Sequence, residues 1–308
     1  MRTMTKLKVR REWEHCHERE IESLSVAGKS GEVVMCDRRD RIILFAPDGK
    51  PVWNKTTDFT PVKVRITEDG TSIFTLSYDG YLIKLNRAGE ILWDIWVTKD
   101  TNTIAIKSKG QSAVVTSHKG RFHVISSGGK RGRIVHTPEP VAHARISVRT
   151  GSLFCASPFG WVGHYNNRFD PLGEFHLRMP ITEVEVSERG KKIFIPARED
   201  GLNVVELESL SMTTYKPGFS VSKVAVCDKG DTILATGMEG ELALMNMSGK
   251  ILWQTKTEHS WFLCDMTSDG KRFIAVSEKG VLACYSIGEV GDKSDKNRSD
   301  GDFDYLEI

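Results

Sequence analysis

Glycines recur at a fixed interval along the chain, and this repeat constrains the fold more than any other feature. One series has steps of 40, 40, 41, 39 and 40 residues, and its members are Gly80, Gly120, Gly160, Gly201, Gly240 and Gly280. A second series keeps the same step and comprises Gly31, Gly70, Gly110, Gly151, Gly190, Gly230 and Gly270. Such self-similarity is typical of architectures in which each repeat is one supersecondary unit. We therefore expect seven repeats.

Each repeat contains short alternating apolar segments between glycine-marked turns. In the second repeat these segments run over 62–66, 72–76, 81–85 and 91–95. They have the length and the two-residue period of strands, and pairs such as Asp79-Gly80 are typical of tight hairpin turns. Four strands and three turns per repeat predict one propeller blade. The predicted fold class is all-β, a seven-bladed β-propeller.

The predicted blades divide the chain evenly except at its ends. They cover about 17–56, 57–100, 101–139, 140–179, 180–218, 219–258 and 259–288, and the last shows only three clear strands. Trp13 lies 40 residues before Trp53, so 7–16 occupies the frame of an outer strand. We predict that this strand completes the last blade and closes the ring, which removes exposed sheet edges. The propeller domain then spans 1–288, with 1–16 as its closing strand.

Three stretches of the sequence share a further pattern and cover 45–53, 85–93 and 245–253. Each contains a glycine that is followed four residues later by a tryptophan at the end of the stretch. These stretches resemble the repeats of quinoprotein-type propellers, a family in which an outer-strand tryptophan docks between neighbouring blades. The pattern weakens in blades three to five, where other residues stand near the tryptophan frame: Arg133, Gly173, and Thr213 or Tyr215.

WD-repeat propellers share this architecture, but their signature is nearly absent. Their Gly-His dipeptide occurs only as Gly163-His164, just after a hairpin turn instead of at a blade start, and Trp93-Asp94 stands in the wrong strand. The quinoprotein-like and WD-like resemblance is therefore one of repeat type, which implies the fold and says little about function.

The quinoprotein resemblance raises a dehydrogenase that uses pyrroloquinoline quinone. Enzymes of that family are typically exported and eight-bladed, often with a disulfide between adjacent cysteines. This sequence shows no export signal, no Cys-Cys pair and none of the GxSxG, HExxH or GxxxxGK[ST] motifs. We expect a protein that is not an enzyme, with no catalytic residues and no cofactor.

The segment His15-Cys16-His17 looks superficially like a set of metal ligands. Because neighbours on a strand point to opposite faces, only the two histidines share one, which is too few for a structural zinc site. We expect solvated histidines and no metal.

Composition and cysteine usage indicate a compartment. Apolar residues make up 39% and charged residues 27% of the chain, which excludes a membrane-spanning or wholly disordered protein. The six cysteines form no CxxC pair. We expect mostly buried, reduced thiols in a cytoplasmic protein without membrane insertion.

Charged residues interrupt the strands predicted to lie nearest the central axis: Lys63, Arg65, Glu183, Glu185, Lys223 and Asp265. A charge in that position must be paired or hydrated. Two interpretations stay open: a water-filled tunnel lined by mixed charge, and a small-ligand or ion site on the axis.

Propellers commonly bind partners on the face that carries the turns between second and third strands and the connections between blades. Aromatic residues and arginine often dominate binding energy at interfaces. The predicted partner-binding residues are Arg38, Phe59, Tyr78, His118, Lys119, Phe159, Trp161, Arg198, Met238 and Trp261. They favour a non-catalytic scaffold that binds a protein or peptide.

Basic residues are concentrated between 107 and 149, where nine Lys and Arg residues accompany a single acidic one, Glu139. This sector of blades three and four is able to attract an anion or nucleic acid. The predicted anion-binding residues are Lys130, Arg131, Arg133, Arg145 and Arg149. A propeller that binds nucleic acid or another anion is the alternative function.

The segment 289–308 differs from the rest in holding seven acidic and three basic residues without strand alternation. We predict a disordered acidic tail. Its last residues, 302–308, have the character of a short docking motif, either for a partner or for the basic sector of the same chain.

Overall fold

The structure, a computed structural model, describes residues 7–197, 201–227, 229 and 231–289. It consists of seven four-stranded antiparallel sheets. The innermost strand of each sheet contacts the innermost strand of the next, and that of the seventh contacts that of the first. The predicted all-β, seven-bladed propeller is confirmed.

Strands are numbered in chain order. The closing strand and the first three blades contain β1 (Leu7–Cys16), β2 (Ile21–Val26), β3 (Val33–Asp37), β4 (Arg41–Phe45), β5 (Pro51–Thr56), β6 (Pro61–Ile66), β7 (Ser72–Ser77), β8 (Tyr81–Asn86), β9 (Ile91–Trp96), β10 (Thr101–Ile106), β11 (Ser112–Ser117), β12 (Arg121–Ser126) and β13 (Arg131–His136). Blades four to seven contain β14 (His143–Ile146), β15 (Leu153–Ala156), β16 (Trp161–Tyr165), β17 (Pro171–His176), β18 (Glu185–Val186), β19 (Lys192–Pro196), β20 (Leu202–Glu206), β21 (Ser211–Tyr215), β22 (Val221–Cys227), β23 (Thr232–Gly237), β24 (Glu241–Met245), β25 (Ile251–Lys256), β26 (Trp261–Met266), β27 (Arg272–Ser277) and β28 (Val281–Glu289).

The first glycine series lies in the turns between second and third strands. Gly80 adopts a φ of +88°, and a Cβ there would fall 1.9 Å from the Thr98 carbonyl oxygen. The Gly80 carbonyl also accepts a hydrogen bond of 2.8 Å from the Val97 amide. Glycine is thus required twice, for the backbone conformation and for the close approach of the connection to the next blade.

The ring is closed by strands from the two ends of the described chain. β1 pairs antiparallel with β28, from Leu7 opposite Glu289 to Cys16 opposite Val281. The His17 amide then donates to the Gly280 carbonyl at 2.9 Å, the same bond that follows the outer strand of blade two. The predicted closing strand is confirmed, and β28 extends one residue beyond the predicted end of the propeller.

Apolar side chains fill the space between neighbouring blades. Seven clusters of buried residues lie around the ring; in the one between blades two and three, Phe74 and Leu82 pack with Ile104 and Val115. Such burial stabilises the fold by roughly 25 cal/mol per Å² of apolar surface removed from water.

Outer-strand aromatic residues reach across several of these interfaces. The Trp53 indole Nε1 donates to the Arg87 carbonyl at 2.9 Å, in the turn between the third and fourth strands of the next blade. Equivalent hydrogen bonds join Trp13 to Pro47, Trp93 to Ser127, and Tyr215 to Met247. The docking of a tryptophan between blades, which the quinoprotein resemblance implies, is confirmed for Trp13, Trp53 and Trp93.

The predictions for the acidic tail fall on 289–308, of which 290–308 lie outside the described residues.

Candidate functional site

Because the strands of a blade are antiparallel, the turns between second and third strands emerge on the same side of the disc as the connections between blades. We call this side the upper face. Its described turns cover 38–40, 78–80, 118–120, 157–160, 238–240 and 278–280. Side chains from different blades project there in one direction, so a single partner is able to contact several blades.

Large apolar side chains stand out from this face. Tyr78 is 73% exposed, Phe159 67% and Met238 60%, and these are the highest values among the large apolar residues that the structure describes. Exposed apolar side chains on a rigid surface often mark an interaction site. They belong to blades two, four and six, so they are spread across the upper face.

The predicted polar partner-binding residues are exposed on the same face but already have partners within the chain. The Arg38 guanidinium forms ion pairs with Glu20 and Glu22, at 2.9 and 2.8 Å. Lys119 pairs with Asp100 at 2.8 Å, next to the exposed His118. Exposed ion pairs of this kind contribute little to stability, so they leave these side chains able to exchange partners.

The second candidate region is the axial cavity, a space of about 400 Å³ enclosed by the inner strands. All six charged residues predicted for the axis line it. The Arg145 guanidinium lies 2.8 Å from Glu185 and 3.5 Å from Glu183, and Lys223 lies 3.4 Å from Glu183. Mixed charge therefore lines the axis, as both interpretations of the sequence required.

Burial in this cavity shifts several pKa values. Burial raises the pKa of Asp265 to about 6, against the hydrogen bonds from the Val26 and Met266 amides that favour the carboxylate. Burial, followed by the positive charges of Arg145 and Lys223, lowers the pKa of His143 to about 4. His143 is therefore neutral at pH 7, and Asp265 is mostly ionised there.

Comparison with known families identifies the repeat. Residues 10–153, a little under half of the chain, match the family model described as outer membrane protein assembly factor BamB. The repeats in this part of the propeller are therefore quinoprotein-like. No curated protein gives a significant match. None of the described residues forms a helix with the length and apolar character needed to cross a bilayer.

Two predicted partner-binding residues of this quinoprotein-like propeller are buried, which corrects the prediction. Trp161 is 4% exposed because its ring folds back over Gly163, where a Cβ would lie 2.5 Å from the ring, and its Nε1 donates to Glu174 at 2.9 Å. Trp261 is fully buried at the start of β26, and its Nε1 donates to Thr257. Neither side chain is available to a partner.

The remaining predicted residues on this face have mixed outcomes. Phe59 is half-buried and packs against the cluster between blades one and two. Arg198 lies outside the described residues.

Two exposed aromatic residues of the propeller were not predicted. Tyr81 and Trp96 are 40% and 44% exposed and lie opposite each other in the β8–β9 register, at the upper end of blade two. The Arg131 guanidinium of the next blade lies 5.5 Å from the centre of the Trp96 ring. Arg41, Arg121 and Glu241 hold the place of Tyr81 in three other blades, whereas the buried Trp161, Leu202 and Val281 hold it in the remaining three, so the repeat gives no signal that this position is exposed.

The predicted anion-binding set does not form one surface, which corrects the prediction. Arg145 lies in the axial cavity and pairs with glutamates there. Arg149 pairs with Glu188 at 3.1 Å. Only Lys130, Arg131 and Arg133 stay together on the outside of blade three, and Arg133 pairs with Asp170 at 2.9 Å. The basic residues between 107 and 149 are therefore divided between the central axis and the outer edge of the disc, which we call the rim.

The paired histidines belong to the closing blade. His15 and His17 share a face, with ring centres 6.3 Å apart. The expectation that both are solvated is wrong for His17, which is buried with its Nε2 3.4 Å from the Asp37 carboxylate. In the part of the chain that the structure describes, no three His, Cys, Asp or Glu side chains are placed to hold a metal ion.

Proposed function

We propose that this propeller is a non-catalytic scaffold that binds a protein partner on its upper face. The observation that supports this most directly is the exposure of Tyr78, Phe159 and Met238 on one face of a rigid disc. Aromatic residues and methionine are enriched at the centres of protein interfaces. A propeller has little internal freedom to lose on binding, which favours affinity.

The geometry separates this face from the other exposed apolar residues. Those residues lie mostly on the outermost strands and radiate around the circumference of the disc, as Leu172 and Ile251 do. One partner is unable to contact them together, whereas the upper face presents its side chains to a single surface. The matched family is described as an assembly factor, which agrees with a binding role.

The aromatic residues of blade two extend this surface toward the basic rim of blade three. Tyr81 and Trp96 lie at the same end of the blade as Tyr78, and the Arg131 guanidinium covers the Trp96 ring. A partner with acidic and apolar groups fits this combination of aromatic surface and positive charge. Nucleic-acid binding has less support, because Arg145 and Arg149 pair with glutamates away from the rim.

We also propose that the protein is cytoplasmic. Its six cysteines are free thiols, and burial raises the pKa of Cys155 and Cys36, which keeps these thiols protonated and unreactive. A reducing compartment suits such a protein.

The test compares two triple variants with the wild-type protein as bait in a pull-down read by quantitative mass spectrometry. The upper-face variant carries Tyr78→Ala, Phe159→Ala and Met238→Ala. The control variant removes other exposed apolar side chains, away from the upper face, and carries Leu172→Ala, Leu210→Ala and Ile251→Ala.

A protein recovered with wild type and with the control, but lost with the upper-face variant, supports the proposal. Its Kd, measured with purified components, is expected to rise about a hundredfold for the upper-face variant, as for the loss of interface hot spots. Retention by the upper-face variant together with loss by the control would place binding on the outer edge instead and overturn the proposal.

A further inference from the structure

Two opposite charges in the axial cavity, Arg65 and Asp265, form no ion pair within 4.0 Å among the described residues, and Glu68, which also lines the cavity, has a buried Oε2 without a hydrogen-bond partner there. Glu183 and Glu185 form ion pairs with Arg145, and Glu183 also pairs with Lys223. On the other side of the cavity, Lys63 pairs with Glu22 at 3.7 Å. Charged groups so far from bulk water are normally paired or hydrogen-bonded.

Arg65 is the first unmatched charge. Its Nη1 donates to the main-chain carbonyls of Leu24, at 3.3 Å, and of Val64, at 2.9 Å. In the described part of the chain, no carboxylate oxygen lies within 4.0 Å of this guanidinium. A guanidinium carries five N–H donors in a planar fork, so most of its capacity to bind an anion is unused.

Asp265 is the second unmatched charge. Its carboxylate accepts hydrogen bonds from the Val26 and Met266 amides, both at 2.8 Å. No Lys, Arg or His nitrogen among the described residues lies within 4.0 Å of it. A carboxylate has about four acceptor positions, so it too retains capacity for a ligand.

Both groups are held on the inner edge of one strand. Arg65 donates to the carbonyl of Leu24, and Asp265 accepts from the amide of Val26. The Leu24 carbonyl and the Val26 amide belong to adjacent peptide groups of β2, so the two charges lie near enough to attract each other. Arg65 and Asp265 therefore flank the same short length of β2 from its two neighbouring blades without contacting each other.

This arrangement selects a class of ligand. A simple anion on Arg65 would add negative charge beside Asp265, and a simple cation on Asp265 would add positive charge beside Arg65 and Arg145. A small molecule with both charges, a few ångströms apart, satisfies both groups and leaves the net charge of the cavity unchanged. Carboxylates suit the fork of a guanidinium, and an ammonium suits a carboxylate.

We propose that the axial cavity binds a small zwitterion of the amino-acid class, with its carboxylate on the Arg65 guanidinium and its ammonium on the Asp265 carboxylate. The cavity volume of about 400 Å³ is sufficient for such a molecule with some water. The site is separate from the upper face, so it stands or fails independently of the proposed partner binding.

The test starts with the wild-type full chain and each standard L-amino acid in turn, measured by isothermal titration calorimetry at up to about 10 mM ligand, a limit that detects affinities in the millimolar range. At least one amino acid is expected to bind. Its N-acetyl derivative, which lacks the ammonium, and its carboxamide, which lacks the carboxylate, are each expected to bind at least about tenfold more weakly. If no amino acid binds, or if either derivative binds equally well, the proposal is wrong.

Variants then assign the two ends of the ligand. Arg65→Met and Asp265→Asn are each expected to weaken binding at least about tenfold, while Lys130→Met, an exposed substitution outside the cavity, leaves it unchanged. Unchanged binding by a folded Arg65→Met protein would overturn the proposal. If either cavity variant fails to fold by circular dichroism, the derivative series on the wild-type protein decides the question alone.

Discussion

Blades one and two are joined differently from blades three and four, although the same repeat builds both pairs. At the first interface the Trp53 ring lies on Gly89 of the next blade, where a Cβ would come within 3.0 Å of the indole. At the second interface Arg133 stands in the tryptophan frame, and Phe169 stands in the turn where Gly89 would be.

Phe169 supplies the ring that the outer strand lacks. It adopts a φ of +67°, as glycines do in the other turns, yet its side chain is only 5% exposed and packs into the cluster between blades three and four. A positive φ is unfavourable for a non-glycine residue, and burial of the ring offsets that cost. The aromatic group at a blade interface can therefore come from either side, and glycine is needed only when it comes from the strand.

The largest effect is expected in blade seven, where no turn joins the third strand, β28, to the fourth strand, β1. Trp13 contacts Pro47 as Trp53 contacts Arg87, but β1 is joined to blade seven only by hydrogen bonds and packing. Deleting residues 1–16 should remove more than about 5 kcal/mol of stability, a large part of the total for a domain, and lower Tm of the whole disc in a circular dichroism melt. A synthetic peptide covering 7–16 should restore Tm in part, and an unchanged Tm of the deletion variant would refute closure by β1.

At the interface of blades three and four, Phe169 replaces the turn glycine and Arg133 replaces the strand tryptophan. A double-mutant cycle tests whether these two replacements depend on each other. Phe169→Gly should lose about 3 kcal/mol, the burial of a ring less the relief of strain, and Arg133→Trp alone should destabilise because its indole meets Phe169. Combining the two should recover stability, with a coupling of about 2 kcal/mol in urea unfolding. Additive effects would show that the two positions do not share one site.

Truncation of the strand residue should distinguish the two interfaces. Trp53→Ala is expected to cost about 2 kcal/mol, because its ring is half-buried and its indole hydrogen bond is lost. Arg133→Ala removes only an exposed ion pair, so the free energy of unfolding should stay nearly constant. Equal losses of unfolding free energy for the two variants in urea titrations would show that the strand residue contributes alike to both blade interfaces.

The last expected effect, which disappears in acid, concerns the turn that follows the second strand, where blade one has Asp37 and blade two has Ser77. Burial disfavours the Asp37 charge, but hydrogen bonds from the Arg41, Arg39 and Asp40 amides and from His17 outweigh it and lower its pKa to about 2. Because the folded pKa is below the ordinary value of about 3.9, this stabilisation is complete above pH 4 and disappears as the pH falls through 2.

Asp37→Asn should therefore destabilise by about 2 kcal/mol at pH 7 and by progressively less between pH 4 and pH 2, as measured by urea unfolding at each pH. Ser77→Ala, which removes one hydrogen bond from the Tyr81 amide, is the matched control and should show a pH-independent loss. A constant difference between wild type and Asp37→Asn down to pH 2 would contradict the assignment.

The turns and the closing strand could be predicted from the sequence because each depends on a local or periodic requirement. Gly80 must be glycine for its own φ and for the nearby carbonyl, so the period is visible in the sequence. Trp13 precedes Trp53 by one repeat of 40 residues because both fill the same position in successive blades.

The exposure of the candidate site residues was harder to predict, because it depends on whether each side chain points to solvent or into a blade interface. The sequence prediction placed Trp261 on the surface, although Ile21, Val141, Ile181 and Val221 occupy the equivalent position in other repeats and are all buried. Trp161 has no such signal, since its burial follows from the missing side chain at Gly163, two residues away. The basic residues between 107 and 149 lie at different distances from the central axis, because Arg145 belongs to an inner strand and Arg133 to an outer one.

Closure by β1 and β28 has a consequence for biosynthesis. The ribosome makes β1 first and its partner almost last, so the earliest strand waits unpaired while six complete blades emerge. Each of those blades is able to stack on the one before it as soon as it appears, but the stack becomes a ring only once translation has passed residue 289. An incomplete chain therefore carries an unpaired edge strand until that point, and unpaired edges are prone to pair with other chains.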